Sequence, residues 1–148
     1  MDAQEVKTYR KIYEWARDGE RPGGEFDWFA VDRDGFMAAF CTAGFSPVPD
    51  VIFEAGWESF LAVVEFIEGL DDVPLHDGGF EPLLQRGLVV FDFDSEETGA
   101  YVRKGIPIDP LHVGRVSSST RRLVDELQFG DVFAGFETLF VEDLWPCR

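Results

Sequence analysis

Residues 27–42 limit the fold more than any other stretch of the chain. Asp27-Trp28-Phe29-Ala30-Val31 and Phe36-Met37-Ala38-Ala39-Phe40-Cys41 are short apolar runs joined by Asp32-Arg33-Asp34-Gly35. Two such runs around a turn whose glycine accepts positive φ predict a β-hairpin. Both faces of these strands are largely apolar, which places them inside a sheet with at least part of each face covered. A second hairpin is predicted from Leu88-Val89-Val90-Phe91-Asp92-Phe93-Asp94, a turn over 95–99 and a returning run over 100–106, stopped by Pro107 and Pro110.

Helical periodicity fills the intervals. Over residues 3–17, Val6, Tyr9, Ile12, Tyr13 and Ala16 recur at helical spacing, and Gly19 ends the pattern. Asp50 is placed to cap a following segment that Gly56 interrupts. From Trp57 onward, Trp57, Phe60, Leu61, Val64 and Ile67 line one helical face. Residues 80–86 form a short helix with Gly87 as its stop, and Ser117 or Ser118 starts a helix running through Leu127. Residues 133–141 read as a last strand. The order implies an α+β fold, an antiparallel sheet built from two β-hairpins plus a C-terminal strand, packed with three to four helices. A length of 148 residues suits a single domain, 1–148, and 45% hydrophobic residues supply its core.

No apolar run approaches the roughly 20 residues that span a bilayer. Residues 1–18 lack the basic start and apolar stretch of a signal peptide, so a cytoplasmic protein is expected. Cys41 and Cys147 stand outside any C-x-x-C motif and are expected as free thiols, with Cys41 a small core residue.

Charge is the strongest functional signal. The net charge is -16, and residues 50–99 carry thirteen acids against one base, Arg86. Such a field repels nucleic acid and anionic membrane and attracts basic partners. On one helical wheel Glu54, Glu58, Glu65 and Glu68 fall within an arc of about 80°. Asp71 and Asp72 follow them, and Asp94, Glu96 and Glu97 sit at the tip of the second hairpin. These nine carboxylates are the candidate partner-binding residues; the plain alternative is a solubilising surface.

Catalytic patterns fail on context. Val90-Phe91-Asp92-Phe93-Asp94 resembles the D-x-D strand of haloacid dehalogenase phosphatases, where one aspartate is the nucleophile. Here Ser95-Glu96-Glu97 follows instead of glycine and threonine, and 54 residues are too few for the remaining motifs. Asp92 and Asp94 are instead expected to pair across the hairpin with Arg103 or Lys104. Asp92, Asp94, Glu96 and His76 are candidate ligands for a hard cation, but no EF-hand loop is present. His76 and His112 have no ligand spacing, so no metal and no cofactor are expected. The Gly-Gly pairs at 23–24 and 78–79 lack a phosphate-loop context, and Arg121-Arg122 is too small a patch for nucleic acid. The run Ser117-Ser118-Ser119-Thr120 suits a helix start. Trp28, Trp57, Phe45 and Trp145 are the candidate aromatic anchors for a partner, with Trp28 and Trp57 drawn toward the core by pattern.

Two motifs carry a family resemblance. Asp27-Trp28-Phe29-Ala30-Val31-Asp32-Arg33-Asp34-Gly35 has the form W-F-A-x-D-x-D-G, and Arg86-Gly87-Leu88-Val89-Val90-Phe91-Asp92 the form R-G-L-x-V-F-D. With the C-terminal segment they span about two thirds of the chain, which resembles uncharacterised small bacterial proteins of the kind linked to immunity in polymorphic toxin systems. The resemblance implies a protein that binds and neutralises a cognate toxin domain, and it transfers no catalytic residue. The expectation is therefore a non-enzymatic inhibitor of a basic, nuclease-like toxin. The alternatives are a regulatory module with another protein partner and a small carboxylate-dependent enzyme.

Overall fold

The computed structural model describes residues 1–20, 27–42, 46–75 and 79–148. Helix α1 (Ala3–Asp18) opens with a capping box: the Asp2 carboxylate accepts the Glu5 amide at 2.8 Å, and the Glu5 carboxylate accepts the Asp2 amide at 3.0 Å. Its one buried residue, Tyr13, fixes where it docks. The Tyr13 hydroxyl donates to the Ile52 carbonyl at 2.9 Å, and the rings of Phe53, Trp57 and Phe60 surround it at 5.2–5.4 Å.

Strands β1 (Asp27–Val31) and β2 (Met37–Cys41) pair antiparallel, as the sequence predicts. The buried Asp32 carboxylate closes their turn, accepting the amides of Asp34 and Phe36 at 3.0 Å each and that of Phe133 at 3.2 Å. Gly35 takes φ +86 there, and a methyl group on it would stand 2.3 Å from His112 Nε2.

Strands β3 (Val89–Asp94) and β4 (Ala100–Gly105) form the second antiparallel hairpin, with a bulge at Val90/Phe91. The sheet order is β1-β2-β3-β4-β5, and β2 runs parallel to β3. Parallel neighbours require a long crossover. Here it carries three helices: α2 (Asp50–Glu54), α3 (Trp57–Glu68) and α4 (Glu81–Gln85). The last helix, α5 (Ser118–Asp125), packs against α3 and β1. No helix among the described residues is long and apolar enough to cross a membrane.

The parallel junction is filled by aromatic rings. Trp28, Phe40 and Phe91 are partners in register on three adjacent strands, and so project from one face. Their rings stack at 4.2 and 5.1 Å. Tyr101 meets Phe40 edge-on, accepts the Trp28 indole N–H at 3.2 Å and donates to the Pro47 carbonyl at 2.8 Å. Phe133 and Trp145 close the same layer from the C-terminal segment.

Three expectations change. Strand β1 lies at a sheet edge, yet it is buried throughout: α5 packs against it, and residues 127–129 bond to the Val31 amide and carbonyl at its end. The final strand shrinks from 133–141 to β5 (Thr138–Leu139), flanked by 3-10 turns at Phe133–Gly135 and Val141–Asp143. Its first part is held as a turn by Arg103, whose guanidinium donates to the Ala134 and Phe136 carbonyls at 2.7 and 3.1 Å. On α3, Val63 is buried, whereas Leu61 and Trp57 are only half-buried.

Arg86 joins the crossover to the sheet. Its buried guanidinium donates to the carbonyls of Ile67 at 2.8 Å, Pro82 at 2.9 Å, Glu68 at 3.1 Å, Asp71 at 3.0 Å and Val73. Two of these are last-turn carbonyls of α3, which lack a partner within the helix and carry its negative dipole end. The adjoining Gly87 has φ +89, and a methyl there would stand 2.6 Å from the Asp109 carbonyl oxygen and the Leu111 amide nitrogen. Arg86→Ala is expected to lower stability by at least about 3 kcal/mol, since it strips several buried carbonyls of a charged donor. Arg86→Lys, with a compact three-donor head, is expected to recover little of it. Urea denaturation midpoints measure both.

Candidate functional site

The carboxylates singled out from sequence divide by the element that carries them. Glu58 and Glu65 are exposed on α3, Glu68 is half-buried near its end, and Asp71 and Asp72 are exposed in the following loop. Asp71 also accepts the Val73 amide at 3.1 Å. Glu54 is exposed but belongs to α2. Gly56, at φ +90 and ψ 163, breaks the helix between them, so the single wheel of four becomes three residues on α3 and one on a separate helix. Asp50 is the first residue of α2 rather than its cap, and its carboxylate pairs with Arg148 at 3.3 Å.

Among the described residues the ion pairs lie elsewhere, and none includes any of the nine candidate carboxylates. The one base of residues 50–99 is turned inward onto carbonyls. Among the described residues of this acidic third, most carboxylates are exposed and the arginine is inside.

The hairpin tip is built differently from the expectation. Asp94 faces Ala100 in register, Asp92 faces Val102, and Arg103 faces Phe91. Asp94 therefore forms no pair with Arg103 or Lys104. Its carboxylate accepts the amides of Glu96, Glu97 and Thr98 and the Thr98 hydroxyl at 3.1–3.2 Å, wrapping the loop around itself. These bonds, those from the Thr98 and Glu97 amides foremost, hold its pKa below the usual 3.8. Glu96 and Glu97 remain exposed at the tip. A depressed carboxylate stabilises the folded loop above the unfolded pKa, and this is lost as pH falls through the folded value. Carboxyl-carbon NMR is expected to show Asp94 titrating below 3.8, and Thr98→Val is expected to move it upward.

The fold also brings α5 beside α2, a juxtaposition the linear pattern does not announce. A cleft of about 300 Å³ lies between them, lined by Val51, Glu54, Ala55, Ser59, Arg122 and Glu126. It shares Val51, Glu54 and Glu126 with a second hollow of about 230 Å³, to which Asp50, Trp145 and Pro146 contribute. Arg122 and Glu126, four residues apart at the end of α5, fall on one helical face. That spacing is the only sequence signal that marks them.

The proposed aromatic anchors are mostly interior. Trp28 and Trp145 are buried, Trp57 is half-buried against Tyr13 and Phe60, and Phe45 lies outside the described residues. The exposed large apolar side chains include Ile106, Ile108 and Phe140 instead. Among the described residues no three His, Cys, Asp or Glu side chains converge as metal ligands; His76 lies outside them. Cys41 and Cys147 are free thiols, each half-buried. Compared with family models, with curated proteins and with solved structures, the chain matches none.

The Cys147 thiol donates to the Trp145 carbonyl at 3.2 Å. Burial first, then Glu142 and Asp50, push its pKa from 9.0 up to about 12. A raised thiol pKa stabilises the fold fully below pH 9, and that contribution is lost as pH rises through about 12. Thiol-reagent kinetics at pH 8 are expected to show Cys147 reacting on the order of a hundredfold slower in the folded than in the unfolded chain, because the thiolate is the reactive form.

Proposed function

We propose that this protein is an immunity-type inhibitor that binds a basic toxin domain through its acidic surface. The observation that carries the reading is the division of charge in residues 50–99, where thirteen acids accompany a single base that is buried. An uncompensated field of this kind raises the local concentration of cationic surfaces and speeds their encounter by roughly 10–10³. A nuclease domain suits it, since a cleft that holds phosphates must be basic. Glu58, Glu65, Asp71 and Asp72 lead the encounter, with Glu54, Glu68 and the hairpin tip at Asp94, Glu96 and Glu97 extending the negative surface. Binding in this way occludes the toxin's own site and asks no chemistry of the inhibitor.

The test has two parts. Expression of the protein alongside the basic domain encoded by a neighbouring gene is expected to restore growth. Glu58→Lys with Glu65→Lys is expected to slow association about tenfold and flatten its dependence on salt, measured by stopped-flow or surface binding. A doubly reversed variant that associates as fast as the original would refute steering. Capture of a basic protein without protection from any toxin would replace the inhibitor by a regulatory binding module.

A further inference from the structure

The acidic surface described above is diffuse, whereas a specific complex needs places where individual partner groups seat. The paired hollows beside α2 offer one. The smaller has Trp145, Pro146 and Val51 as apolar lining and Glu54 and Glu126 as unpaired carboxylates among the described residues; Asp50 is already engaged by Arg148. Its lining includes no basic side chain, since Arg122 belongs to the larger hollow. Its parts come from three separated segments: α2, the end of α5 and the C-terminal turn. The hollow is thus a product of tertiary packing and not of a local run of acids.

From this geometry we infer that the hollow is a seat for one arginine side chain of the basic partner, a proposal that rests on the inhibitor reading and names a contact within it. The chemistry matches at both ends of that side chain. The methylene stem of arginine covers apolar surface while its head stays polar, which suits Val51 and Pro146. The planar guanidinium donates in a fixed fork to carboxylates, which suits Glu54 and Glu126, while Trp145, itself largely buried, contributes only its accessible margin to the wall. Lysine presents a more strongly hydrated point charge and lacks the planar fork.

The test uses the full chain and N-acetyl-argininamide as the probe, with the citrulline analogue as an uncharged control of nearly the same shape. Proton–nitrogen NMR at constant ionic strength is expected to show saturable shifts at the Trp145 indole and at the amides of Val51, Glu54 and Glu126. Binding is expected to weaken at least tenfold for the citrulline analogue and for Glu54→Gln with Glu126→Gln. Asp109→Asn with Glu137→Gln, exposed residues that line neither hollow, is expected to leave it unchanged. Shifts spread evenly over α3 without saturation, or equal binding of the citrulline analogue, would overturn the proposal. A filled seat in a protein that protects against no toxin would end the inhibitor reading and keep the seat. Protection with an empty seat would do the reverse.

Discussion

Arg86 holds the architecture together. A guanidinium taken out of water without a carboxylate is expensive, and here the cost is offset by carbonyls alone. The carbonyls come from three places: the end of α3, the loop beyond it and the start of α4. One side chain thereby terminates a helix, fixes the path of a loop and delivers the chain to Gly87, whose positive φ turns it into β3. The parallel seam between the two hairpins depends on that delivery, because it sets the point at which β3 enters beside β2.

Around this seam the fold repeats one device, a polar side chain that settles a backbone the sheet cannot reach. Asp32 closes the first turn and also takes the Phe133 amide, so it ties the β1–β2 hairpin to the C-terminal segment. Arg103 takes two carbonyls of that same segment from the other side of the sheet order. Between them the segment is held over the Trp28–Phe40–Phe91 stack, where Phe133 and Trp145 seal the rings. Burial of the aromatic layer is thus enforced by hydrogen bonds at its margins.

What the sequence revealed follows the range of the interactions concerned. Both hairpins, the stopping of α1, the break at Gly56 and the start of α5 are set by residues within a few positions of one another, and all were legible; the Asp2–Glu5 capping box was equally local but was not read. The parallel seam was not, since it joins strands separated by the whole crossover and leaves no periodicity of its own. The C-terminal strand misled because 133–141 is rich in strand-forming residues, yet Arg103 and Asp32 claim its backbone and Phe133 is drawn into the ring layer. Trp145 looked like a surface anchor for the same reason: its burial depends on Trp28, far away in the chain. Among the candidate carboxylates, the wheel placed Glu58 and Glu65 on one side of the helix, while their exposure comes from the structure. The neighbour that gives Glu54 its setting, Glu126, was not, because only packing of α5 beside α2 brings them together.

The acidic residues of the crossover lie outside the strands whose register defines the sheet. Strand pairing, the ring stack and the Arg86 cage make no use of the Glu58, Glu65 or Asp72 side chains, whereas the Asp71 carboxylate holds the Val73 amide beside the cage. The charge pattern of this surface can therefore be rewritten one position at a time without re-solving how the chain folds.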